Sequence, residues 1–539
     1  MTRHVLALLL LLSLPLSVQA QRASAGASGT SETRAGSEEE VFRGALEAIR
    51  DFGFEARTDS LLWEMAIEGL LRELEDPYAT VLNPREVAQF QEETTGNYAG
   101  IGIQISDLNE AVTVTAVFRD TPAEGAGLQV GDRIVAVDDE AADGWNINDV
   151  SQRIRGEVDT EVLVVVRREG VSDPVPHRIR RDQVHISSVM AGRIFQDIGY
   201  IHLDRFARGS AVEVDSALQL FQDSRGLILD MRRNPGGYLD ESLIMADLFL
   251  ERGDTLVKTR NRIQGRRAGL SEDAQAARFP PRTAPIPMVI LVDRFTASAA
   301  EIVAGALQDH DRAIVLGERT FGKGVVQTIV PLPAGRQLRL TTGEWYTPLG
   351  RSLNRVRDLE GRPMEENRDS LPRFQTAQGR TLLGGGGVLP DREVPDDTLS
   401  TREQEFMTRT AQDGIPVNLR IQEEALDLAR EALRGVGPGY GPEAVDVLMA
   451  RLREEGVAEE YLSDPEIQAY LGWRIRYTTA LRMREDGRSV EIRAERDKVL
   501  SEAVEILSRS TDLGSLLRMV EDEPPQGATI GGGTSGEPL

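Results

Sequence analysis

The run 288-MVILVDRFTASAAEIVAGAL-307 decides the fold of this chain. Its first five residues, Met288–Val292, are apolar and rich in β-branched side chains, which is typical of a buried strand. After Ser298 the apolar residues recur at helical spacing and predict a helix with one face inward; they are Ile302, Val303, Ala306 and Leu307. Ser298 therefore lies on a strand-to-helix turn, where free backbone N–H groups could hold an oxyanion. On position alone, the ordinary role of such a serine is to cap the helix.

A lysine further along the chain changes the interpretation of that serine. Lys323 follows Ser298 by 25 residues and stands between two glycines in 319-RTFGKGVVQ-327. Taken alone, such a lysine is typical of a solvated loop. Taken with Ser298, it suggests a serine–lysine pair in which a desolvated, neutral amine accepts the proton of the hydroxyl.

These features resemble the C-terminal processing proteases, or tail-specific proteases, of peptidase family S41. The resemblance rests on Ser298, Lys323 and Gln327 and on the turn Asn234-Pro235-Gly236-Gly237, and it extends over residues 73–391. It implies an α/β multidomain fold, in which N-terminal helices and a PDZ-like β domain precede an α/β serine protease core of the ClpP/crotonase type. A helical region then follows the core. No cofactor is expected.

The resemblance also implies roles for the site residues. Ser298 would be the nucleophile and Lys323 the base, and Gln327 would orient the lysine amine. The oxyanion hole would combine the amide of Ala299 with that of Gly236 or Gly237, and the sequence leaves the choice open. Four residues of strand would separate the lysine and the glutamine by about 13 Å at ~3.3 Å per residue, so the glycines beside the lysine must curl the chain.

Composition limits the classes of function. With 539 residues the chain is too long for one core, so several domains are expected. Its 62 basic and 87 acidic side chains give a formal net charge of −25, which argues against a nucleic-acid partner because neutralising phosphates needs a basic face. There is no cysteine, which excludes disulfides and thiolate chemistry, and the five histidines form no H-E-x-x-H motif. No metal site is expected.

The first 95 residues predict export followed by helices. Residues 1–20 combine Arg3, an apolar run and Val18-Gln19-Ala20, the pattern of a cleaved secretory signal. An uncut membrane anchor is the alternative, and no other membrane span is expected after cleavage. The chain is thus expected to be exported, to the periplasm, with membrane association through an uncut anchor left open. Residues 21–40 predict a flexible leader, and residues 41–95 predict a helical segment interrupted near Gly53.

Residues 96–172 predict a PDZ domain. Gly100-Ile101-Gly102-Ile103 resembles the loop that binds a peptide carboxylate in such domains, where backbone N–H groups face the peptide terminus and the strand edge pairs with it. A T-P-A, A-G-L and G-D-x-I series follows between Thr121 and Ile134. We expect residues 163–167 to form the closing strand.

The remaining residues divide into a core, a helical region and a tail. Residues 183–395 predict the catalytic core, with strands at 198–203, 226–231, 288–292 and 313–317 and further strands around Lys323. Residues 396–522 predict amphipathic helices, and residues 523–539 a disordered tail. Helical regions in the resembled family support dimers, so a homodimer is expected as well as protein or peptide substrates bound through their C termini.

The sequence offers three alternatives to the serine–lysine pair. Residues 317–323 fit the start of a P-loop, but Gly324 lacks the hydroxyl that holds Mg²⁺ and a strand-like run follows. His310 would lie about 18 Å from Ser298 along the helix at ~1.5 Å per residue, too far for a triad. The same distance favours a structural role for Asp309. A catalytically idle PDZ scaffold is the alternative from another class of function.

Overall fold

The computed structural model describes residues 37–521 except 109–110, 196, 264–268, 284, 359–360, 365, 397–398 and 438. The predicted signal at 1–20, most of the predicted leader and the tail at 523–539 lie outside the described residues. The chain forms two compact units, one up to Leu70 and one from Leu71 onward. In the part of the chain that is described, no helix is long and apolar enough to cross a membrane.

From Ser37 onward, the first unit carries two helices, as the break predicted near Gly53 requires. They are α1 (Glu38–Phe52) and α2 (Asp59–Glu73), the latter continuing into the second unit. The predicted leader ends too late, because α1 already begins at Glu38. Ser37 caps the helix by exchanging hydrogen bonds with Glu40: the Ser37 N–H donates to Glu40 Oε2 at 2.9 Å, and the Glu40 N–H donates to Ser37 Oγ at 3.3 Å. This capping box satisfies backbone donors that a flexible leader would leave to water.

The second unit opens with a short strand and a third helix before the PDZ domain. These elements are β1 (Thr80–Leu82), α3 (Pro84–Thr95) and β2 (Asn97–Gly100). Asn83 caps α3, and Pro84 occupies its first turn, where a missing N–H costs the helix no hydrogen bond.

The PDZ domain is a six-stranded antiparallel sheet with two helices. Its elements are β3 (Ile103–Leu108), β4 (Ala111–Val117), α4 (Pro122–Gly125), β5 (Arg133–Val137), β6 (Glu140–Ala141), α5 (Ile147–Ile154), β7 (Glu161–Arg167) and β8 (Val175–Arg180). The strand order is β3-β4-β5-β7-β8, with β6 on β5, so β3 is an edge strand. The prediction that residues 163–167 close the domain is wrong, because β8 pairs with residues 161–166 of β7. The sheet therefore extends past residue 172.

The catalytic core contains the predicted strands and further elements. They are β9 (Asp182–His185), β10 (Val189–Ile194), β11 (Ile198–Leu203), α6 (Ser210–Gln219), β12 (Gly226–Asp230), α7 (Leu239–Asp247), β13 (Thr255–Ile263), β14 (Gly269–Ala276), β15 (Met288–Val292), α8 (Ala299–Asp309), β16 (Ile314–Gly317), β17 (Val325–Pro331), β18 (Gln337–Tyr346), β19 (Arg373–Gln375), β20 (Thr381–Leu383) and β21 (Arg392–Glu393). Short 3₁₀ turns lie at Pro333–Gly335 and Arg368–Ser370.

Two sheets of the core position the site. The central sheet has the order β10-β11-β12-β15-β16-β21 and is parallel except for β10. A second, antiparallel sheet has the order β1-β18-β13-β14, with β17 on β18. Parallel strands that are buried on both faces have continuous apolar sequences. Met288–Val292 is such a run, and all of its residues are buried.

The C-terminal helices form two groups rather than one domain. They are α9 (Thr401–Gln412), α10 (Val417–Leu433), α11 (Ala444–Glu454), α12 (Glu459–Leu462), α13 (Pro465–Arg482), α14 (Asp486–Ala494), α15 (Lys498–Arg509) and α16 (Leu513–Glu521). Helices α9–α13 enclose their own apolar core. Residues of α14–α16 instead pack with β11, β12, β15 and β16 in one cluster on the central sheet. The predicted boundary at residue 395 therefore divides a continuous core.

Candidate active site

The turn that follows β15 carries Ser298 to the start of α8. Asp293 Oδ1 accepts the N–H groups of Phe295 at 3.0 Å and Thr296 at 2.9 Å, and Thr296 Oγ1 donates to the Met231 carbonyl at 2.9 Å. Ser298 itself has φ 55° and ψ −116°, a backbone conformation that costs a non-glycine residue free energy and often marks functional sites. Tertiary hydrogen bonds therefore hold the serine on a sharp turn, where the sequence predicted one.

Glu301 links the turn that carries Ser298 to the loop that carries Lys323, here called the lysine loop. Its carboxylate is fully buried and accepts four hydrogen bonds: Oε2 from the N–H groups of Ser298 at 2.8 Å and Lys323 at 2.9 Å, and Oε1 from the Gly322 N–H at 2.7 Å and Thr320 Oγ1 at 2.6 Å. Burial raises the pKa of Glu301, and these donors oppose the shift. The sequence prediction did not include this residue, although an acidic side chain three positions after a helix cap is a recognised capping pattern.

The side chain of Lys323 is half-buried and lies beside Gln327, the residue predicted to orient its amine. Lys323 Nζ donates to Gln327 Oε1 at 2.9 Å, and in the described chain no hydrogen bond joins Nζ to Ser298 Oγ. Burial, and after it the positive charge of Arg339, lowers the pKa of Lys323 to about 8. Lys323 and Gln327 are not held apart by the length of a straight strand. The strand β17 begins only at Val325, and its pairing with β18 shifts register before Gln327. A bulge of this kind turns a side chain to a new direction.

The two glycines of the upstream turn differ in how their amides are used. The Gly236 N–H donates to Asn234 Oδ1 at 2.9 Å, whereas the Gly237 N–H has no hydrogen-bond partner within the described residues. Gly236, at φ 95°, packs so closely that a Cβ there would lie 2.8 Å from Ser298 Cβ and 2.9 Å from Ala299 N. The turn therefore lies directly against the serine, with the amide of Gly237 left available.

These residues share one cleft of about 780 Å³. Its lining includes all six residues that the sequence placed in the catalytic set and the oxyanion hole, Ser298, Lys323, Gln327, Gly236, Gly237 and Ala299. Apolar side chains from the core and from α3 line the rest, together with charged groups; they are Phe90, Phe206, Leu239, Ile302, Val325, Val326, Ile329, Trp345, Glu93, Asp204, Arg205, Asp240 and Arg339. Such a mixture suits an extended peptide with apolar side chains.

The predicted peptide-binding loop lies in the PDZ domain and does not line this cleft. Gly102, at φ 89°, and Ile103 lead into the edge strand β3, and the carbonyl of Gly102 accepts the Phe118 N–H at 3.0 Å. The side chain of Ile101 is buried in the PDZ core, and its carbonyl accepts the Ala123 N–H at 2.8 Å. Gly100 lies close to the ring of Tyr98. Of the four residues, Ile101 is thus directed inward, and the loop can offer a ligand mainly backbone groups.

The residues of the rival triad lie at the far end of α8. His310 follows the last residue of the helix, and its Nε2 lies 2.7 Å from the Thr255 carbonyl. Asp309 forms an ion pair with the fully buried Arg351 at 2.6 Å and accepts the Leu349 N–H at 2.8 Å. Neither residue lines the cleft, so the structure gives both of them structural partners. The run after Lys323 is a strand, as expected, and not the helix of a P-loop.

Comparison with known proteins identifies relatives of both domains. The family model for peptidase family S41 matches residues 197–358, and a PDZ domain model matches residues 113–168. The carboxy-terminal-processing protease of Bartonella bacilliformis is 34% identical over 325 residues, which cover 58% of this chain and 72% of that protein.

Other relatives match over a smaller part of their length. The carboxy-terminal processing protease CtpA of Bacillus subtilis is 31% identical over 58% of this chain and 66% of its own length. A probable CtpA-like serine protease of Staphylococcus epidermidis is 33% identical over 56% and 60%. Among solved structures, a photosystem II D1 C-terminal processing protease is 30% identical, with 59% of this chain and 91% of that chain covered and a TM-score of 0.34.

Proposed function

The chain belongs to peptidase family S41 and is related to the carboxy-terminal-processing serine proteases, and on this basis we propose that it is an exported endopeptidase that cleaves proteins near their C termini. The catalytic groups of this proposal are Ser298 and Lys323. The observation that carries it is the lysine amine, which burial brings to a pKa of about 8 in the cleft that Ser298 also lines. A general base works best when its pKa is near the operating pH.

In the proposed reaction each group of the cleft has one role, and Lys323 acts in turn as base and acid. Neutral Lys323 accepts the proton of Ser298 as Oγ attacks the scissile carbonyl, and the ammonium then protonates the leaving amine. The amides of Gly237 and Ala299 stabilise the tetrahedral oxyanion, since the Gly236 amide is already engaged by Asn234. Water then hydrolyses the acyl-enzyme, with the lysine again accepting a proton. Gln327 holds the lysine amine in place throughout.

The PDZ domain is proposed to bind the C terminus of the substrate. Support comes from the free edge of β3 and from the glycine-containing loop that leads into it. A peptide added to such an edge gains main-chain hydrogen bonds, and its carboxylate can face the loop amides. Export is proposed from residues 1–20, whose charge and apolar run have the pattern of a secretory signal.

The test of this function is cleavage of an unstructured polypeptide with a free C terminus. We expect Ser298→Ala to lower kcat by at least about 10³-fold, because the nucleophile is lost and the catalytic groups act as a unit. Ser216→Ala is the matched control, since Ser216 is exposed on α6 and its hydroxyl donates to the Val212 carbonyl of the same helix. Mass spectrometry of the products locates the cut. Equal cleavage by the parent and Ser298→Ala would instead favour the PDZ scaffold.

A second copy of the chain is proposed to cover the helices of the first unit. Helix α1 buries none of its residues, and apolar side chains on α1, α2 and the connection between them are exposed; they include Val41, Phe42, Ile49, Phe52, Phe54, Trp63 and Met65. Exposed apolar patches of this kind mark protein–protein contacts.

We expect Phe52→Asp to convert a dimer to a monomer, because a carboxylate cannot be buried cheaply between apolar faces. The side chain of Phe52 is 87% exposed in the single chain. Light scattering coupled to size-exclusion chromatography measures the mass. Val171→Asp, in an exposed PDZ loop, is the control and should leave the mass unchanged. A parent protein that is monomeric at micromolar concentration would contradict the homodimer.

A further inference from the structure

The loop between α2 and β1 lies beside Lys323, although it is distant in the sequence and precedes the PDZ domain. The carbonyl of Tyr78 accepts a hydrogen bond from Gln327 Nε2 at 2.9 Å. The ring centroid of Tyr78 lies 5.2 Å from Lys323 Nζ. The amide of Gln327 therefore bridges this loop and the lysine, because its Oε1 accepts from Nζ at 2.9 Å.

The carbonyl of Tyr78 determines which end of the glutamine amide faces the lysine. A backbone carbonyl can only accept a hydrogen bond, so it binds the NH₂ group of Gln327 and turns Oε1 toward Lys323. Oε1 then takes one N–H of the neutral amine. This contact fixes the rotation of the amine and leaves its lone pair free to accept the proton of Ser298.

Asp76 anchors the loop to the strand that carries this arrangement. Asp76 Oδ1 accepts the Tyr78 N–H at 3.0 Å and Thr341 Oγ1 at 3.1 Å, and Oδ2 accepts the Thr341 N–H at 3.1 Å. Thr341 lies on β18 directly opposite Gln327 on β17. The anchor point and the glutamine are thus neighbours across one pair of strands, so a shift of the loop moves the Tyr78 carbonyl relative to Gln327.

The geometry points to Asp76 and Thr341 as positioning residues for the base, acting through the Tyr78 carbonyl and Gln327 on the direction of the Lys323 amine. This inference rests on the proposed serine–lysine mechanism and deepens it. Asp76 also contributes a negative charge near the amine. The other charged groups that face Lys323 are Glu301, whose charge has the same sign as that of Asp76, and Arg339, whose charge is opposite.

The test compares variants of the whole protein in kcat, KM and the pH profile of kcat, with an unstructured peptide as substrate. Asp76→Ala removes three hydrogen bonds and should lower kcat by about 100-fold, with KM within about twofold, because small displacements of a catalytic group cost about that much. Asp76→Asn keeps an acceptor and should recover part of kcat. It should also move the acid limb of the profile to lower pH, because a negative charge that favours the ammonium is lost.

A matched pair of threonine variants tests the anchor with a single hydroxyl. Thr341→Val should lower kcat by about tenfold and Thr341→Ser should restore it. Thr342→Val is the control and should match the parent. Among the described residues, the hydroxyl of Thr342 bonds only Thr328 Oγ1, at 2.7 Å on the same two strands. If Asp76→Ala is unfolded at the assay temperature, the Thr341 variants decide.

Two outcomes would overturn the inference: kcat of Thr341→Val equal to that of Thr342→Val, or an Asp76→Asn profile that coincides with the parent profile. Ser298→Ala and Lys323→Met are assayed beside them. If these two variants are inactive, either outcome rejects the positioning role alone. If they still cleave, the proposed mechanism itself is wrong.

Discussion

Replacing Lys323 by arginine is expected to abolish peptide cleavage, with kcat lowered by at least about 10³-fold. The proposed mechanism needs a neutral base, and a guanidinium stays protonated and charged at any pH the protein tolerates. The variant keeps a positive charge of similar length, so a loss of activity isolates the requirement for deprotonation. General bases contribute about 10²–10⁴-fold to such reactions.

The composition of the chain makes this substitution informative. Of the 62 basic residues only three are lysines, Lys258, Lys323 and Lys498, and the rest are arginines. Arginine thus supplies positive charge almost everywhere in the protein, yet a lysine stands in the cleft. Lys258→Arg is the matched control, because Lys258 is exposed on β13 and lies outside the cleft lining.

The pH profile provides a second measurement of the same group. The rate should rise with pH through about 8, where the Lys323 amine becomes neutral, and then level off. With ¹⁵N-labelled lysine only three side chains contribute signals, and the one lost in Lys323→Arg belongs to Lys323. A midpoint near the ordinary lysine value of about 10.4 would contradict the assignment, and so would full activity of Lys323→Arg.

The lowered pKa of Lys323 also affects the stability of the folded protein. Stability measurements therefore show whether a variant is folded. The folded-state pKa of Lys323 lies below the unfolded value, so folding disfavours the charged amine, and below pH 8 this lowers the free energy of unfolding. Lys323→Met removes the buried charge and should therefore raise the melting temperature at pH 7 while activity is lost. The gain should shrink as pH rises from about 8 toward the unfolded pKa.

The sequence predicted the parts of the site that depend on local pattern. Ser298 follows a buried apolar strand and opens a helix of regular spacing, and both features are legible in a few neighbouring residues. The two glycines that flank Lys323 are also a local feature of the sequence. What the sequence left open is which glycine amide is available. The proposal that Gly237 completes the oxyanion hole rests on the hydrogen bond from the Gly236 N–H to Asn234 Oδ1, which residue spacing does not reveal.

Other features were missed because they arise only from tertiary packing. The bulge before Gln327 depends on register with β18, and strand spacing alone placed the glutamine too far away. Glu301 was not among the predicted site residues, although its carboxylate accepts hydrogen bonds from both the serine turn and the lysine loop. The amphipathic pattern of residues 396–522 was correct for helices, but an apolar stripe does not say which surface it covers.

Because the apolar stripes of the last helices cover the central sheet, we predict that a chain ending at residue 395 will not fold. Helices α14–α16 cover one face of the central sheet with fully buried side chains such as Leu500 and Leu507. Without them the parallel strands that position Ser298 would expose an apolar face to water, at roughly 25 cal/mol per Å². We therefore expect residues 37–395 to aggregate on expression, although all the residues of the cleft are present.

Deleting these helices also breaks a polar network, which adds to the destabilisation caused by the exposed apolar area. Asp230 ends β12 just before the glycine turn, is 1% exposed, and accepts hydrogen bonds from Arg232 and, at 2.9 Å, from Arg493 of α14. Burial alone would raise the pKa of Asp230, but the two guanidinium groups lower it. Deleting α14 removes the Arg493 guanidinium from this carboxylate and therefore one of the hydrogen bonds that connect the central sheet to the C-terminal helices.

Point variants test the same idea without deleting a segment. Leu507→Ala removes a fully buried side chain and should lower the free energy of unfolding by about 2–5 kcal/mol. Leu433→Ala, on a residue of α10 that is 64% exposed, should change it by less than about 0.5 kcal/mol. Urea denaturation followed by tryptophan fluorescence measures both. A soluble, monodisperse chain ending at residue 395 that still cleaves peptide would show that the central sheet needs covering on one face only.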